Sequence, residues 1–121
     1  MKVVRSEEGQ PRQGTTFRGE ATLTTMLAAQ QENGMSLTLV DFKDGAVTNW
    51  HEHPGEQILY ILEGKGRVGN QDTEWEVGPG DIVYTGPGEN HWHGAAAGHS
   101  MRHISITTVG SPLWHPHAPD L

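Results

Sequence analysis

The sequence predicts a single all-β domain whose antiparallel strands close into a barrel or jelly roll. The chain has 121 residues, the length of one ordinary domain with a core of its own. Its 16 glycines and 7 prolines separate short β-prone segments rather than gathering in one linker. No segment has a convincing helical periodicity, and about nine such segments are typical of a small antiparallel barrel.

The composition divides the chain into three regions. Residues 1–19 are polar and spaced by glycines, which predicts an arm that becomes ordered only by pairing, for instance as a strand swapped onto the edge of a neighbouring subunit. Residues 20–109 carry the β-prone segments and form the barrel. Residues 110–121 contain three prolines, and we expect an irregular tail.

The two strands that open the barrel are predicted from mixed signals. In Glu20 to Gln31 the leucines and methionine suit a helix, whereas the threonines suit a strand, and we favour a strand. Met35 to Lys43 follows a turn and alternates apolar with polar residues, but the phase of the alternation shifts at Leu39 and Val40. This shift predicts either a bulge or a strand that is covered on both faces. The remaining strands are expected at residues 57–62, 67–71, 73–77, 82–85, 91–97 and 100–109.

Charge and composition argue against several classes of function. The net charge of −7 at pH 7 disfavours a nucleic-acid partner and an anionic membrane surface. No run of about 18 apolar residues is present that could span a bilayer. The first eight residues lack the apolar stretch of a signal peptide, so we expect a cytoplasmic protein. The absence of cysteine removes disulfides, thiolate catalysis and thiolate metal ligands.

A His-x-His motif is the main functional signal. Residues two apart in a strand point to the same side, so His51 and His53 can present both imidazoles to one ion. Gln57 follows a Pro-Gly turn, and His91 follows a second loop, so both can bring further donors to the same interior. Three imidazoles and an amide oxygen suit one divalent ion, with manganese, iron, zinc and nickel all compatible.

The amide at Gln57 has a chemical consequence. A carboxylate would cancel one unit of the ion's charge, whereas an amide cancels none. A divalent ion held this way stays a strong Lewis acid toward a substrate oxygen. It should also resist oxidation, which favours non-redox chemistry.

A second pair of histidines accompanies the predicted ligands. His93 lies two residues after His91 and so faces the same interior, and His103 shares one face of its strand with Ser105 and Thr107. Histidines beside a metal can act as catalytic acid and base, because their pKa values lie near neutrality. The alternative is that His93 and His103 only orient the ligand imidazoles.

The two motifs together resemble those of the cupin family. Gly45, His51, His53 and Gly64 fall in register with the first cupin motif, in which Gln57 replaces the usual glutamate. His91 matches the second motif, although Gly86 replaces its usual proline and Ala95 its usual asparagine. The resemblance implies a single-domain cupin barrel whose strands pair between subunits, and therefore a homodimer or homotetramer.

Within the cupins, the chain is similar to the small manganese-dependent hydroxynitrile lyases, which also carry glutamine in the first motif. It also resembles cupins related to carboxymuconolactone decarboxylases. The lyase resemblance implies one divalent ion per subunit, manganese above all, held by the four predicted ligands, with His93 and His103 beside the substrate. By the same matching Thr38, Val40 and Thr107 contact the substrate, although a larger polar residue is expected at Thr107.

Three hypotheses follow for a small-molecule substrate. The first is a metal-dependent lyase that cleaves a small α-hydroxy compound, such as a cyanohydrin, with His103 as the base and His93 as the acid. The second is a non-haem metal-dependent dioxygenase. The third is a non-catalytic cupin that senses a small ligand.

Overall fold

A computed structural model describes residues 1–121 as thirteen short strands and one turn of 3-10 helix at Ser6–Glu8. The predicted all-β class is confirmed, and every strand pairing is antiparallel. The strands are β1 Gln10–Gln13, β2 Phe17–Arg18, β3 Ala21–Leu27, β4 Ser36–Phe42, β5 Val47–Thr48, β6 His51–Glu52, β7 Gln57–Gly64, β8 Gly66–Asn70, β9 Glu74–Val77, β10 Ile82–Thr85, β11 His91–Ala95, β12 Met101–Thr107 and β13 Leu113–Trp114.

One sheet has six strands in the order β1-β3-β4-β12-β7-β10. Its register aligns side chains in rows, because directly opposed residues of antiparallel strands lie on the same face. Thr107 of β12 is opposed by Ser36 of β4 and Gln57 of β7, which forms a polar row on the inner face. The next residue, Ile106, is opposed by apolar residues on both sides, so the outer face is apolar at the same level.

The second sheet supplies three of the five buried histidines. Its strands run in the order β13-β6-β11-β5-β2, with β8 paired to β11 and β9 paired to β8. His91 of β11 lies directly opposite His51 of β6. His93 also lies on β11, two residues further on, and therefore shares the inner face with His91.

The apolar core fills one end of the barrel. Along β4 the inner face changes from Ser36 and Thr38 to the buried Val40 and Phe42. Along β12 it changes in the matching direction, from Thr107 to the buried Met101. One end of the interior is therefore closed by apolar packing and the other is left polar. The core consists of Ala21, Val40, Phe42, Ala46, Ile61, Ala95 and Met101.

The phase shift in β4 does not arise from a bulge. The register of β4 runs without interruption past Leu39 and Val40 against both β3 and β12. The shift reflects the change from polar to apolar along the inner face, while Leu37 and Leu39 occupy a half-buried outer face. The irregularities of the six-stranded sheet occur instead between Thr25 and Leu27 of β3 and between Arg102 and His103 of β12.

Both chain ends pack against the barrel of the same chain. Residues 10–13 of the predicted arm pair with β3, and residues 17–18 pair with β5, so no second subunit is needed to order them. The prediction of an irregular tail was wrong at Leu113–Trp114, which pairs with β6 as strand β13. Proline removes an amide donor only at its own position, so the residues between two prolines remain free to pair.

No helix in the structure has the length and apolar character that crossing a membrane requires.

Candidate metal centre

Three buried histidines converge at the polar end of the interior. The ring nitrogens that His51, His91 and His93 offer all lie within 4.8 Å of one another. Each of these side chains is at most 5% exposed. The opposed register of β6 and β11 brings the first two together, and the two-residue repeat of β11 adds the third. The three histidines are thus positioned to bind one metal ion.

Backbone carbonyls fix the tautomers of two of these rings. His51 Nδ1 lies 2.9 Å from the carbonyl oxygen of Asn49, and His91 Nδ1 lies 2.8 Å from that of Glu89. A carbonyl only accepts, so each Nδ1 carries the hydrogen and each Nε2 keeps its lone pair. This is the second-sphere arrangement that orients imidazole ligands for a metal.

Gln57 faces His91 in an orientation that a cation would complement. Its amide Nε2 donates to Ser105 Oγ at 2.9 Å, and its Oε1 lies 3.1 Å from His91 Nε2. Because His91 carries its hydrogen on Nδ1, two electron-rich atoms then face each other. Turning the amide over would let it donate to His91 instead. With the amide in this orientation, Gln57 Oε1 and His91 Nε2 would both be available to hold a cation.

His53 lies beside this group without a protein partner. Its side chain is 5% exposed, and neither ring nitrogen makes a hydrogen bond. A buried imidazole without a partner is costly unless something outside the chain satisfies it. Its ring centroid is 5.2 Å from that of His51 and 5.3 Å from that of His91, so it stands next to both. The residues present thus fit a divalent ion.

Burial keeps all of these imidazoles neutral. The pKa of His51 is lowered to about 2 and that of His53 to about 4, mainly by desolvation and in part by the charge that His91 would carry. Desolvation also lowers the pKa of His91, although its hydrogen bond to the Glu89 carbonyl opposes the shift. Neutral imidazoles have free lone pairs at neutral pH, which metal binding requires.

His93 and His103 form a hydrogen-bonded pair. His103 Nε2 lies 3.0 Å from His93 Nδ1, and both rings are fully enclosed. Burial lowers the pKa of His103 to about 3 and places that of His93 well below its usual range. The far nitrogen of His93, Nε2, has no partner within the chain. When Nδ1 donates to His103, this Nε2 presents its lone pair toward the cluster.

A cavity of about 680 Å³ opens onto the cluster. Thr38, Val40 and Thr107, which the family resemblance predicts beside the substrate, are among the residues that line it. His51, His53, Gln57 and His93 also line it, whereas His91 and His103 do not. No aspartate or glutamate is among the lining residues, so nothing in the wall cancels the charge of a bound cation.

Sequence reasoning missed several residues of the cavity wall, among them Ser105, Phe17 and Trp114. Ser105 was assigned only to a polar face, but it holds the Gln57 amide. Phe17 and Trp114 come from the predicted arm and tail, and both line the cavity. The Trp114 ring stacks on His51, with centroids 4.2 Å apart and planes at 28°. Alternation within the strand could have identified Ser105, but no local signal places the arm and tail at the cavity.

Comparison with known proteins agrees with this geometry. A sequence model of the cupin domain matches residues 38–107, which is more than half of the chain. The chain is a member of the cupin family. The expected cupin barrel is therefore confirmed.

Individual relatives differ in what they do. The cupin is 36% identical over 91 residues to an (R)-mandelonitrile lyase of Granulicella tundricola, covering 74% of this chain and 70% of that protein. It is 40% identical over 47 residues to an acireductone dioxygenase of Rhodopseudomonas palustris, a match that covers 36% of this chain and only 28% of that protein. Among solved structures, a cupin-like protein of Thermotoga maritima superimposes with a TM-score of 0.81 at 32% identity, covering 87% of this chain and 84% of that one.

Proposed function

We propose that this cupin is a metal-dependent lyase that cleaves a cyanohydrin or a similar small α-hydroxy compound to a carbonyl compound. The observation that carries the proposal is the unpartnered Nε2 of His93, which faces a cluster of neutral imidazoles at the wall of a cavity without carboxylates. The similarity to a mandelonitrile lyase over 74% of the chain supports the same reaction class.

His51, His53, Gln57 and His91 would hold the ion, which we expect to be Mn²⁺, with iron, zinc and nickel as alternatives. When bound, a divalent ion supplies a Lewis acid that stabilises negative charge developing on the substrate oxygen. His93 lies close enough to His51 and His91 to compete with His53 as a ligand. We assign it to the substrate because it lines the cavity and also forms the hydrogen-bonded pair with His103, which none of the four proposed ligands does.

We assign the base role to His93 rather than to His103. His103 is 0% exposed and does not line the cavity, so it reaches a substrate only through His93. His93 Nε2 would accept the proton of the substrate hydroxyl as the carbonyl forms; burial lowers the pKa of His93, and a bound cation would lower the pKa of that hydroxyl as well. His103, kept neutral by burial, would accept the hydrogen bond from His93 Nδ1 and stabilise the positive charge that develops there. His103 is then a positioning residue.

One histidine can both take up the proton and return it. The electron pair of the breaking carbon–carbon bond leaves with cyanide, and the same His93 Nε2–H can return its proton to that anion. Hydrogen cyanide and an aldehyde are released, and His93 is again neutral. Thr38 and Thr107 present hydroxyl groups to this space and can orient the substrate.

The decisive experiment is a cleavage assay of metal-loaded protein. Manganese-loaded wild type is expected to convert mandelonitrile to benzaldehyde, followed by the absorbance of the aldehyde. A wild type that binds manganese, iron, zinc or nickel stoichiometrically but cleaves no cyanohydrin with any of them would remove the lyase proposal.

A dioxygenase is the second candidate, favoured by the short match to an acireductone dioxygenase. A neutral ligand set of imidazoles and an amide also accepts ferrous iron. Substrate-dependent oxygen uptake by iron-loaded protein, measured with an oxygen electrode, would favour this reaction. Its absence with acireductone-like and catechol-type substrates would count against it.

A further inference from the structure

The C-terminal segment is fastened across the opening of the barrel. Val109 and Gly110 both adopt positive φ, of 57° and 83°, and turn the chain back after β12. The next strand, β13, pairs with β6 so that Trp114 is opposed to His51. Further backbone hydrogen bonds of 2.9 Å join Trp50 to His115 and to His117. These contacts hold one tryptophan in a defined place at the cavity.

Trp114 contacts the candidate ligand His51 directly. The two rings are stacked with centroids 4.2 Å apart. His51 Nδ1 is held by the carbonyl of Asn49, so the carbonyl fixes one edge of the ring and the indole fixes one face. Together these two contacts restrict both rotations of the imidazole, and a restricted ligand loses less entropy when it binds an ion.

The same tryptophan contributes to an apolar side of the cavity. Four hydrophobic residues are among the 21 that line it, and two of them are Phe17 and Trp114. Their ring centroids are 6.4 Å apart and their planes are tilted by 46°. Phe17 comes from the N-terminal arm and Trp114 from the C-terminal segment, so the two ends of the chain meet there. The remaining walls are mostly polar, which leaves this aromatic wall as the natural contact for an aryl group.

We propose that Trp114 is a positioning and specificity residue, which orients His51 for the ion and, with Phe17, binds the aromatic group of the substrate. The second role rests on the proposed lyase function, whereas the first does not. Phe17 makes no ring contact with His51, so the two roles are separable by substitution at the two positions.

The test compares Trp114→Leu, Trp114→Phe and Phe17→Leu with wild type. The control is Trp75→Leu, which removes a half-exposed tryptophan on β9. The dissociation constant of Mn²⁺ is measured by the electron paramagnetic resonance of free ion. KM and kcat are measured for mandelonitrile and for the cyanohydrin of propanal, and thermal unfolding checks that each variant is folded.

Trp114→Leu is expected to weaken Mn²⁺ binding about tenfold, the lower end of the effect of groups that support metal ligands. It should also raise KM for mandelonitrile about tenfold with little change for the aliphatic cyanohydrin. Phe17→Leu should raise only the KM for mandelonitrile. Trp114→Phe should keep most of the wild-type Mn²⁺ affinity and most of the wild-type KM for mandelonitrile. Trp75→Leu should change neither the Mn²⁺ affinity nor this KM.

Unchanged Mn²⁺ affinity in folded Trp114→Leu would overturn the positioning role, and equal effects on both substrates would overturn the specificity role. If wild type cleaves no cyanohydrin, calorimetric titration with mandelonitrile still measures how much the aromatic wall contributes to ligand binding. The Mn²⁺ affinity still measures how much Trp114 contributes to orienting His51. Should Trp114→Leu fail to fold, Trp114→Phe and Phe17→Leu decide the same two questions. Loss of ion binding by Trp114→Phe, or no effect of Phe17→Leu, would contradict the proposal.

Discussion

The two faces of the six-stranded sheet are built from the same strands but have opposite character. On the inner face, Gln57, Ser105 and His103 belong to the cavity and its supporting hydrogen bonds. On the outer face the intervening residues form two apolar rows across β4, β12, β7 and β10. These rows are Leu39, Ile104, Tyr60 and Ile82, and Leu37, Ile106, Ile58 and Tyr84.

This difference shows that the sheet reverses the usual amphipathic arrangement over part of its length. The polar residues point inward because they serve the metal centre, while four of the outer apolar side chains remain at least 41% exposed. A contiguous exposed apolar surface on a soluble protein usually marks an interaction site. We propose that a second copy of the chain covers this face, in line with the homodimer expected from the family resemblance.

The largest expected effect is that of His93→Ala on catalysis. Loss of a general base typically lowers the rate by about 10²- to 10⁴-fold, and we expect this fall in kcat for mandelonitrile with Mn²⁺ still bound. His99→Ala removes an exposed histidine and serves as the matched control. If His93→Ala loses the ion instead, His93 is a metal ligand rather than the base. The roles of the histidines on the inner face must then be reassigned.

The next effect is a loss of stability of the metal-free protein in acid. The pKa values of His51, His53 and His103 are about 2, 4 and 3 in the folded state, against 6.5 for the unfolded chain. The unfolded chain therefore binds more protons below pH 6.5, and the free energy of unfolding should fall by about 1.4 kcal/mol per pH unit for each such histidine. Urea unfolding between pH 7 and pH 5 measures the slope.

Stability should level off again once the pH passes below the folded-state pKa values. His53→Gln removes one of the five buried histidines whose pKa values are lowered, and it should make the slope shallower. A metal-free wild type equally stable at pH 7 and pH 5 would show that the cluster is not buried in the neutral form.

On the outer face, Ile82→Asp is expected to disrupt the dimer. Ile82 is 65% exposed, so the substitution costs little within one chain but places a charge in the proposed interface. Sedimentation should show the mass falling from twice the chain mass to that of a single chain of 13.2 kDa, with Mn²⁺ affinity unchanged. A wild type that is already monomeric would refute the proposed role of this face.

The smallest effect is expected for Thr107→Val. The substitution removes the 2.8 Å hydrogen bond between the hydroxyls of Thr107 and Ser36 on the inner face, worth about 1 kcal/mol. Thermal or urea unfolding of the metal-free protein measures the loss. Thr22→Val, on the outer face of β3, should be close to neutral, and an equal loss at both positions would remove the distinction between the two faces.

Sequence reasoning was effective where the signal was local. The two-residue spacing of His51 and His53, the turn before Gln57 and the strand repeat at His91 and His93 are fixed by strand geometry, and the structure brings these side chains to one cluster. The exposed Glu56 beside the buried Gln57 follows from the same alternation.

Sequence reasoning failed where the position of a residue depends on pairing between strands that are distant in the sequence. The phase shift at Leu39 and Val40 suggested a bulge or a strand covered on both faces, because the period of a strand is read on the assumption that the apolar face points inward. Here the inner face itself changes from polar to apolar. Likewise, nothing near Trp114 in the sequence indicates that it will pair with a strand more than sixty residues earlier.

The fastening of the last residues beside His51 has a practical consequence for handling this protein. Pro119 is buried and its carbonyl accepts a hydrogen bond from Arg18, so a peptide extension after Leu121 would emerge close to the aromatic wall. A polyhistidine purification tag placed there would set extra imidazoles beside a site suited to transition metals. The metal content measured on such a fusion would then include metal bound by the tag as well as metal bound in the barrel. Cleavable tags are therefore needed for elemental analysis.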